Sequence, residues 1–211
     1  MTKPIPQNFC QIYIVRHGET DWNQDKRLQG HANRPLTNDA IQQARELGKL
    51  LKNIEFSAVY SSDLIRARRT AQEILLHKKT NIICKKILRE RRLGVLTGKR
   101  VDELTGKLKE LLYMIDNNLI VSDFENHEVE SKKDVQSRMI RFIKTTSLAH
   151  LNTRILVVTH SGLMTNLLLH LRYKNIKEYS HIKIDNLGYF IVNCNGIETE
   201  VVETKGVSLK T

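Results

Sequence analysis

The hydrophobic and polar positions of this chain switch repeatedly between a period of two and a period near three and a half. Ile12–Val15 is a short apolar, β-favouring run and predicts a buried strand. Residues 18–36 follow with turn-forming and polar residues, holding Trp22-Asn23, Leu28-Gln29-Gly30 and Arg34-Pro35. They predict a long loop of the kind that carries function in compact domains. Thr37 then caps a helix ending near Asn53, with Ala40, Ile41, Ala44, Leu47 and Leu51 three or four positions apart. Asp39 lies in its first turn, where the helix dipole favours an anion.

Phe56–Ser61 predicts a second strand, and Ser62-Asp63 opens a helix whose inner face carries Leu64, Ile65, Ala67, Ala71, Ile74 and Leu75. Ile82–Leu88 predicts a third, weaker strand, and 101–115 has helical spacing. Residues 116–130 are polar and irregular, and a helix of about 16 residues then runs through Val135, Met139, Phe142 and Ile143. Arg154–Thr159 is the clearest buried strand, and His160-Ser161-Gly162 leads from it into the apolar helix Leu163–Leu171. Tyr189–Asn193 and Ile197–Glu203 flank Cys194-Asn195-Gly196, a strong hairpin signal. Residues 205–211 are expected to fray. Alternating strands and helices imply an α/β fold, a three-layer α/β/α sandwich with a mainly parallel central sheet and an antiparallel edge strand. The length fits a single domain over 1–211, with a small lid-like insertion around 94–130.

This pattern gives four polar segments a common address. Arg16-His17, Arg66, Glu90 and His160 each follow a different predicted strand at its C-terminal end, the edge where open α/β sheets bind ligands. Side by side, those strands would bring five side chains to one pocket. Two arginines and two histidines suit a dianion, because guanidinium forks hold phosphate oxygens through paired charged hydrogen bonds. Ser161-Gly162 would add backbone N–H groups at a helix N-terminus. In such a pocket a neutral imidazole can attack phosphorus, and the neighbouring cations favour the neutral form. Glu90 is the candidate proton donor to a leaving alkoxide. A bound phosphate would raise its pKa, whereas Arg89, Arg91 and Arg92 would lower it. Each residue also has an ordinary reading. Arg66 could be a solvated helix arginine like Arg68 and Arg69, Glu90 a surface partner of Arg91, and His160 a satisfied core histidine.

Composition narrows the classes. The 34 Lys+Arg against 23 Asp+Glu give a net charge of +11, which attracts anions of any kind. The basic residues are dispersed, without the blocks of a nucleic-acid-binding arm. Cys10, Cys84 and Cys194 are scattered and odd in number, so neither a disulfide framework nor a zinc knuckle is indicated, and a cytoplasmic location is expected. No segment approaches a membrane span or a secretory leader. His31, His77, His127, His150, His170 and His181 show no ligand-like spacing, so no metal is expected.

Arg16-His17-Gly18-Glu19-Thr20-Asp21-Trp22-Asn23, Leu28-Gln29-Gly30, Pro35-Leu36-Thr37, Ser61–Ala67 with Thr70-Ala71, Leu88-Arg89-Glu90 with Gly94 and Gly98, and Val157–Gly162 follow in order along the chain. Together they resemble the signature of the histidine phosphatase superfamily, in its phosphoglycerate-mutase-like branch. The resemblance implies that His17 is a phosphohistidine nucleophile and Glu90 the proton donor. It implies that Arg16, Arg66 and His160 grip the transferring phosphoryl group, that Asn23, Gln29 and Gly30 contact phosphate or substrate, and that no cofactor is needed. The chain departs from the family pattern at Asn33, often aspartate, and Ala40, often glycine. Val129-Glu130-Ser131 replaces Gly-Glu-Ser, and Val95-Leu96-Thr97 replaces an aromatic-acidic pair. The last two changes flank the substrate side.

The 70 positions from Glu90 to His160 leave room for only a small lid, shorter than in the glycolytic mutases. Weaker exclusion of water favours hydrolysis. The expected function is therefore a phosphatase acting on small phosphomonoesters: sugar phosphates, bisphosphates or phosphoglycerates. A phosphoglycerate mutase is the alternative. A non-catalytic phosphate- or nucleic-acid-binding protein is a third reading. The expected partner is a small phosphorylated metabolite, with no nucleic acid and no membrane.

Overall fold

The computed structural model describes residues 4–78, 80–116, 128–175 and 182–209. Its centre is a six-stranded sheet in the order β3-β2-β4-β1-β5-β6, formed by β1 (Cys10–Arg16), β2 (Ala58–Ser61), β3 (Ile82–Cys84), β4 (Arg154–Thr159), β5 (Ile182–Cys194) and β6 (Thr199–Leu209). The pairs β1/β4, β2/β4 and β2/β3 are parallel, whereas β5 runs antiparallel to both β1 and β6. The expected sandwich with its antiparallel edge is the observed architecture, with two long strands rather than one on that edge.

Successive side chains of a strand point to opposite faces, and β1 supplies both cores at once. Tyr13 and Val15 join Leu156, Val158 and Val59 against α2 (Asn38–Leu50) and α3 (Ile65–Ile74), through Ala44, Leu47, Ala67 and Ala71. Ile12 and Ile14 join Ile155, Val157 and Phe190 against α5 (Lys132–Leu148) and α6 (Ser161–His170), through Val135, Met139, Leu163 and Leu167. The chain therefore leaves β1 toward one face and β4 toward the other. Their adjacent C-terminal ends form the switch point at which such sheets open a crevice.

Local signals explain most element starts. Thr37 caps α2 by accepting from the Ala40 N–H, and Ser131 caps α5 by accepting from the Asp134 N–H. The predicted loop 18–36 contains a single helical turn, α1 (Asp21–Gln24), closed by reciprocal bonds between Thr20 and Asn23. The helix expected to open at Ser62-Asp63 begins at Ile65, and its first turn is held from outside, by Asn33, which accepts from the Ile65 N–H at 3.1 Å. Asn33 thus serves as a capping acceptor at the position where the family often has aspartate.

Three boundaries differ from the sequence reading. β3 stops at Cys84 and gives way to a 3-10 turn at Lys86–Leu88, because its ladder to β2 ends where the Lys85 N–H bonds Ser61 O. The helix expected over 101–115 begins only at Gly106, as α4 (Gly106–Asp116) after a separate 3-10 turn at Val101–Glu103. Residues 205–209 do not fray, because β6 continues pairing through Lys183↔Ser208 and Ile182↔Leu209. Leu96, Leu104, Leu111 and Val129 form a small apolar cluster of their own. Part of the expected lid-like stretch around 94–130, residues 117–127, lies outside the described residues, as do His127, His181 and the end of the expected frayed tail. Among the described residues no helix is long and apolar enough to cross a membrane.

Candidate active site

The end of β1 places Arg16 and His17 beside the end of β4, where the His17 N–H bonds Thr159 O at 3.0 Å. His160 follows directly, and the two imidazole centroids are 5.1 Å apart. Arg66 enters from the first turn of α3 and is wholly buried. Its Nε donates to His17 Nε2 at 3.2 Å, and its two terminal nitrogens donate to Gly30 O at 2.8 Å and Ala32 O at 2.7 Å. One guanidinium thus orients the His17 ring and pins the preceding loop. Gly30 has φ of +48°, a conformation glycine adopts without steric penalty, and this turn aims its carbonyl at Arg66.

The tautomer of His17 follows from its partners. Nδ1 lies 2.7 Å from Gly18 O, which can only accept, so the hydrogen is on Nδ1 and Nε2 presents a lone pair. Burial, and then the charges of Arg66 and Arg16, hold the His17 pKa well below its ordinary value. His160 is depressed in the same way, by burial first and then by Arg66 and His17. Burial pulls Arg66 down to about 10, so it remains a cation at neutral pH. Both ring nitrogens of His160 and Oε1 of Gln29 are buried without a hydrogen-bond partner among the described residues. Orphaned polar atoms of this kind are uncommon inside proteins and mark a place built to meet a polar ligand.

Glu90 arrives without a strand. The Thr159 hydroxyl donates to Leu88 O at 2.8 Å, which ties the 3-10 turn to the end of β4. Arg138 on α5 donates to Ile87 O, Arg89 O and Glu90 O, and His31 Nε2 meets Glu90 O at 2.7 Å. The carboxyl is then aimed by two backbone donors, Arg91 N–H at 2.8 Å and Gly162 N–H at 3.1 Å. The Gly162 N–H, expected to face phosphate, therefore positions the acid instead. Asn23, similarly, uses its Oδ1 to accept from the Thr20 N–H and hydroxyl while lining the pocket.

A cavity of about 210 Å³ joins these groups, lined by Arg16, His17, Asn23, Gln29, Gly30, Arg66, Glu90, Ser161 and Gly162. His160 is not among the lining residues, although its ring lies beside that of His17. Arg27 and Leu112, which carried no signal of a site in the sequence, complete the far wall with Leu28, Leu93 and Arg91, the last expected only as a cation beside Glu90. Sequence reasoning also passed over Asn186, whose Nδ2 donates to His17 O at 3.1 Å from a β-bulge that also accepts Arg16 Nη1 at Ile184 O, 2.5 Å away. The signal was Asp185-Asn186-Leu187-Gly188 inside a β run, a turn-like cluster that marks such a bulge. Of the three arginines around Glu90, only Arg91 lines this cavity; Arg89 is paired with Asp63 at 2.7 Å.

The family model of the histidine phosphatase superfamily (branch 1) matches residues 12–205. The chain belongs to this superfamily. It is 34% identical over 152 residues to a probable phosphoglycerate mutase, GpmB, of Escherichia coli, a match covering 72% of this chain and 70% of the relative. Among solved structures it is similar to a phosphoglycerate mutase from Bacillus anthracis, with a TM-score of 0.78, 28% identity, and coverage of 95% of this chain and 94% of the other. It is also similar to the alpha-ribazole phosphatase of Shigella flexneri, with a TM-score of 0.76, 25% identity, and coverage of 92% and 95%. Members of the histidine phosphatase superfamily are phosphoryl-transfer enzymes, phosphatases and mutases among them.

Two expected results follow from this histidine phosphatase geometry. A Cβ at position 162 would collide with Glu90 Oε1. Gly162→Ala should therefore displace the carboxyl and, with Glu90 as the expected proton donor, slow turnover of an alkyl phosphate by roughly 10²-fold, the effect of a small misplacement at a reaction centre. Alanine is the better helix former, so thermal melting should show no matching loss of stability. The second result concerns pH. His17 and His160 have folded pKa values held below the ordinary 6.5. As pH falls through 6.5, the unfolded chain binds protons that the folded one refuses. Stability therefore drops on acidification, by up to about 1.4 kcal/mol per pH unit for each imidazole until the folded pKa is reached. Denaturant melts between pH 7 and 5 check this, and His160→Asn should give the shallower slope.

Proposed function

We propose that this chain hydrolyses small phosphomonoesters, namely sugar phosphates, bisphosphates or phosphoglycerates, through a covalent phosphohistidine at His17. The observation that carries the reading is a buried, neutral His17 whose Nε2 lone pair meets Arg66 at 3.2 Å in the same 210 Å³ cavity as the Glu90 carboxyl. A phosphate oxygen takes over the Arg66 Nε–H, which releases the lone pair for attack on phosphorus. The N–P bond forms as the ester P–O bond breaks, and Glu90 passes its proton to the departing alkoxide. Arg16, Arg66 and His160 stabilise the charge that builds on the equatorial oxygens, with no metal or organic cofactor in the scheme. Water, deprotonated by Glu90, then attacks the phosphohistidine and returns Nε2 to its starting state.

Arg27 and Arg91 on the far wall suit a second acidic group on the substrate, and Leu28, Leu93 and Leu112 suit a short carbon skeleton. Three free cysteines support a cytoplasmic setting. Mutase activity is the second reading, favoured by the names of the Escherichia coli and Bacillus anthracis relatives. The test is acid-labile labelling of His17 by a radiolabelled phosphomonoester, followed by a substrate panel scored for phosphate release against isomer formation. Phosphate release should dominate; quantitative isomer formation would convert the reading to mutase. Glu90→Gln should slow alkyl phosphates by roughly 10²- to 10⁴-fold but spare p-nitrophenyl phosphate, whose leaving group needs no proton. Equal slowing of both substrates would remove Glu90 from the donor role.

A further inference from the structure

Glu90 lines one cavity and is held from a second. Its carboxyl lines the catalytic one, while its backbone carbonyl is held by two residues, His31 and Arg138, that line another. This second cavity, about 380 Å³ and more open to solvent than the catalytic one, is lined by His31, Lys86, Arg89, Arg92, Glu130 and Arg138. Four of these side chains are permanent cations. Two are already balanced: Arg89 by Asp63 at 2.7 and 2.8 Å, and Arg138 by Glu130 at 2.6 and 2.9 Å. Among the described residues the side chains of Lys86 and Arg92 close no ion pair, although Asp63 lies within electrostatic reach of Lys86 and the Arg92 backbone N–H holds Glu130 Oε2 at 3.2 Å, so both charges remain available at the opening.

We infer that this cavity is a binding site for a compact polyanion of the diphosphate type, separate from the catalytic centre and coupled to it through Glu90. The open mouth leaves room for more than one phosphate, and the charge count argues for at least two negative charges. Arg89 and Arg138 keep their carboxylates and serve as walls, while Lys86 and Arg92 make the direct contacts. Coupling needs no long pathway. An anion held by Lys86 and Arg92 lies beside His31 and Arg138, the two groups that fix the Glu90 carbonyl, and its field thereby acts on the residue whose carboxyl delivers the proton. Its effect belongs on kcat for substrates with poor leaving groups rather than on KM.

The experiment uses inorganic pyrophosphate as probe and the full-length protein with vanadate saturating the catalytic cavity. Calorimetry at low ionic strength should show one equivalent of pyrophosphate bound. Lys86→Glu/Arg92→Glu should weaken it by roughly 30-fold, as two attractions become repulsions, with vanadate affinity unchanged. Both residues are exposed, so the fold should tolerate the change. A charge-matched control at exposed sites elsewhere, Lys52→Glu/Lys107→Glu, should retain binding. At saturating substrate, pyrophosphate should alter kcat in the wild type and not in Lys86→Glu/Arg92→Glu. The inference is overturned if vanadate-loaded protein binds no pyrophosphate, if Lys86→Glu/Arg92→Glu binds it as well as wild type, or if the control loses as much. Failure of vanadate itself to bind would count against the catalytic reading. The comparison of the two double variants without vanadate would then still decide the second cavity.

Discussion

Replacing His17 with alanine should lower phosphomonoester turnover by at least ~10⁴-fold and abolish the acid-labile label. The size of the effect follows from geometry. No other described side chain offers a neutral nitrogen lone pair in the lining of this cavity: neither His160 nor His31 is part of that lining, and His31 bonds the Glu90 carbonyl. The arginines can still gather the phosphate, so substrate or vanadate should bind the variant with much smaller loss. A kcat collapse without a matching rise in KM is therefore the expected signature. Folding is a lesser concern, since the change removes a buried titratable ring and leaves the β1/β4 ladder intact. Hydrolysis by His17→Ala within tenfold of wild type would eliminate the covalent route.

Arg66→Ala should damage both stability and rate. The side chain is wholly buried and donates to Gly30 O, Ala32 O and His17 Nε2. Truncation leaves two loop carbonyls without donors and opens a cavity, for a destabilisation of about 2–5 kcal/mol. Loss of a fixed cation at the phosphoryl oxygens should cost a further ~10²- to 10³-fold in kcat. Arg66→Lys separates the two effects, because an ammonium restores charge but cannot span three acceptors as a planar fork does. Chemical denaturation paired with steady-state kinetics should place the lysine variant between wild type and alanine in stability, with most of the kinetic loss retained. Wild-type values for both quantities in Arg66→Ala would show the guanidinium to be incidental.

The legible parts of this molecule are those set by local pattern. Ile12–Val15 and Arg154–Thr159 read as buried strands because their residues are apolar on both faces, and the side chains that follow them fall at the sheet's carboxyl edge. Thr37 and Ser131 cap helices through their own hydroxyls, a signal carried within four residues. Contributions from distant segments were less legible. Asn33 caps α3 from 32 positions away, Asn186 supports His17 across 169, and Gly162 holds Glu90 across 72. Arg27 looked like one more residue in a basic chain, and Arg91 only a neighbour of Glu90, until folding turned both toward the same space. Short-range spacing records a strand's end but not which backbone group will be waiting there.

The position of β1 has a consequence for how the protein comes to exist in a cell. Among the described strands β1 pairs only with β4 and β5, both of which come far later in the chain, from Arg154 onward. During synthesis Ile12–Val15 therefore lacks any strand to pair with, and a chain released before Arg154 would keep that sticky segment uncovered with no prospect of a phosphate pocket. Premature termination or slow translation should yield an inert, aggregation-prone product rather than a partly active one.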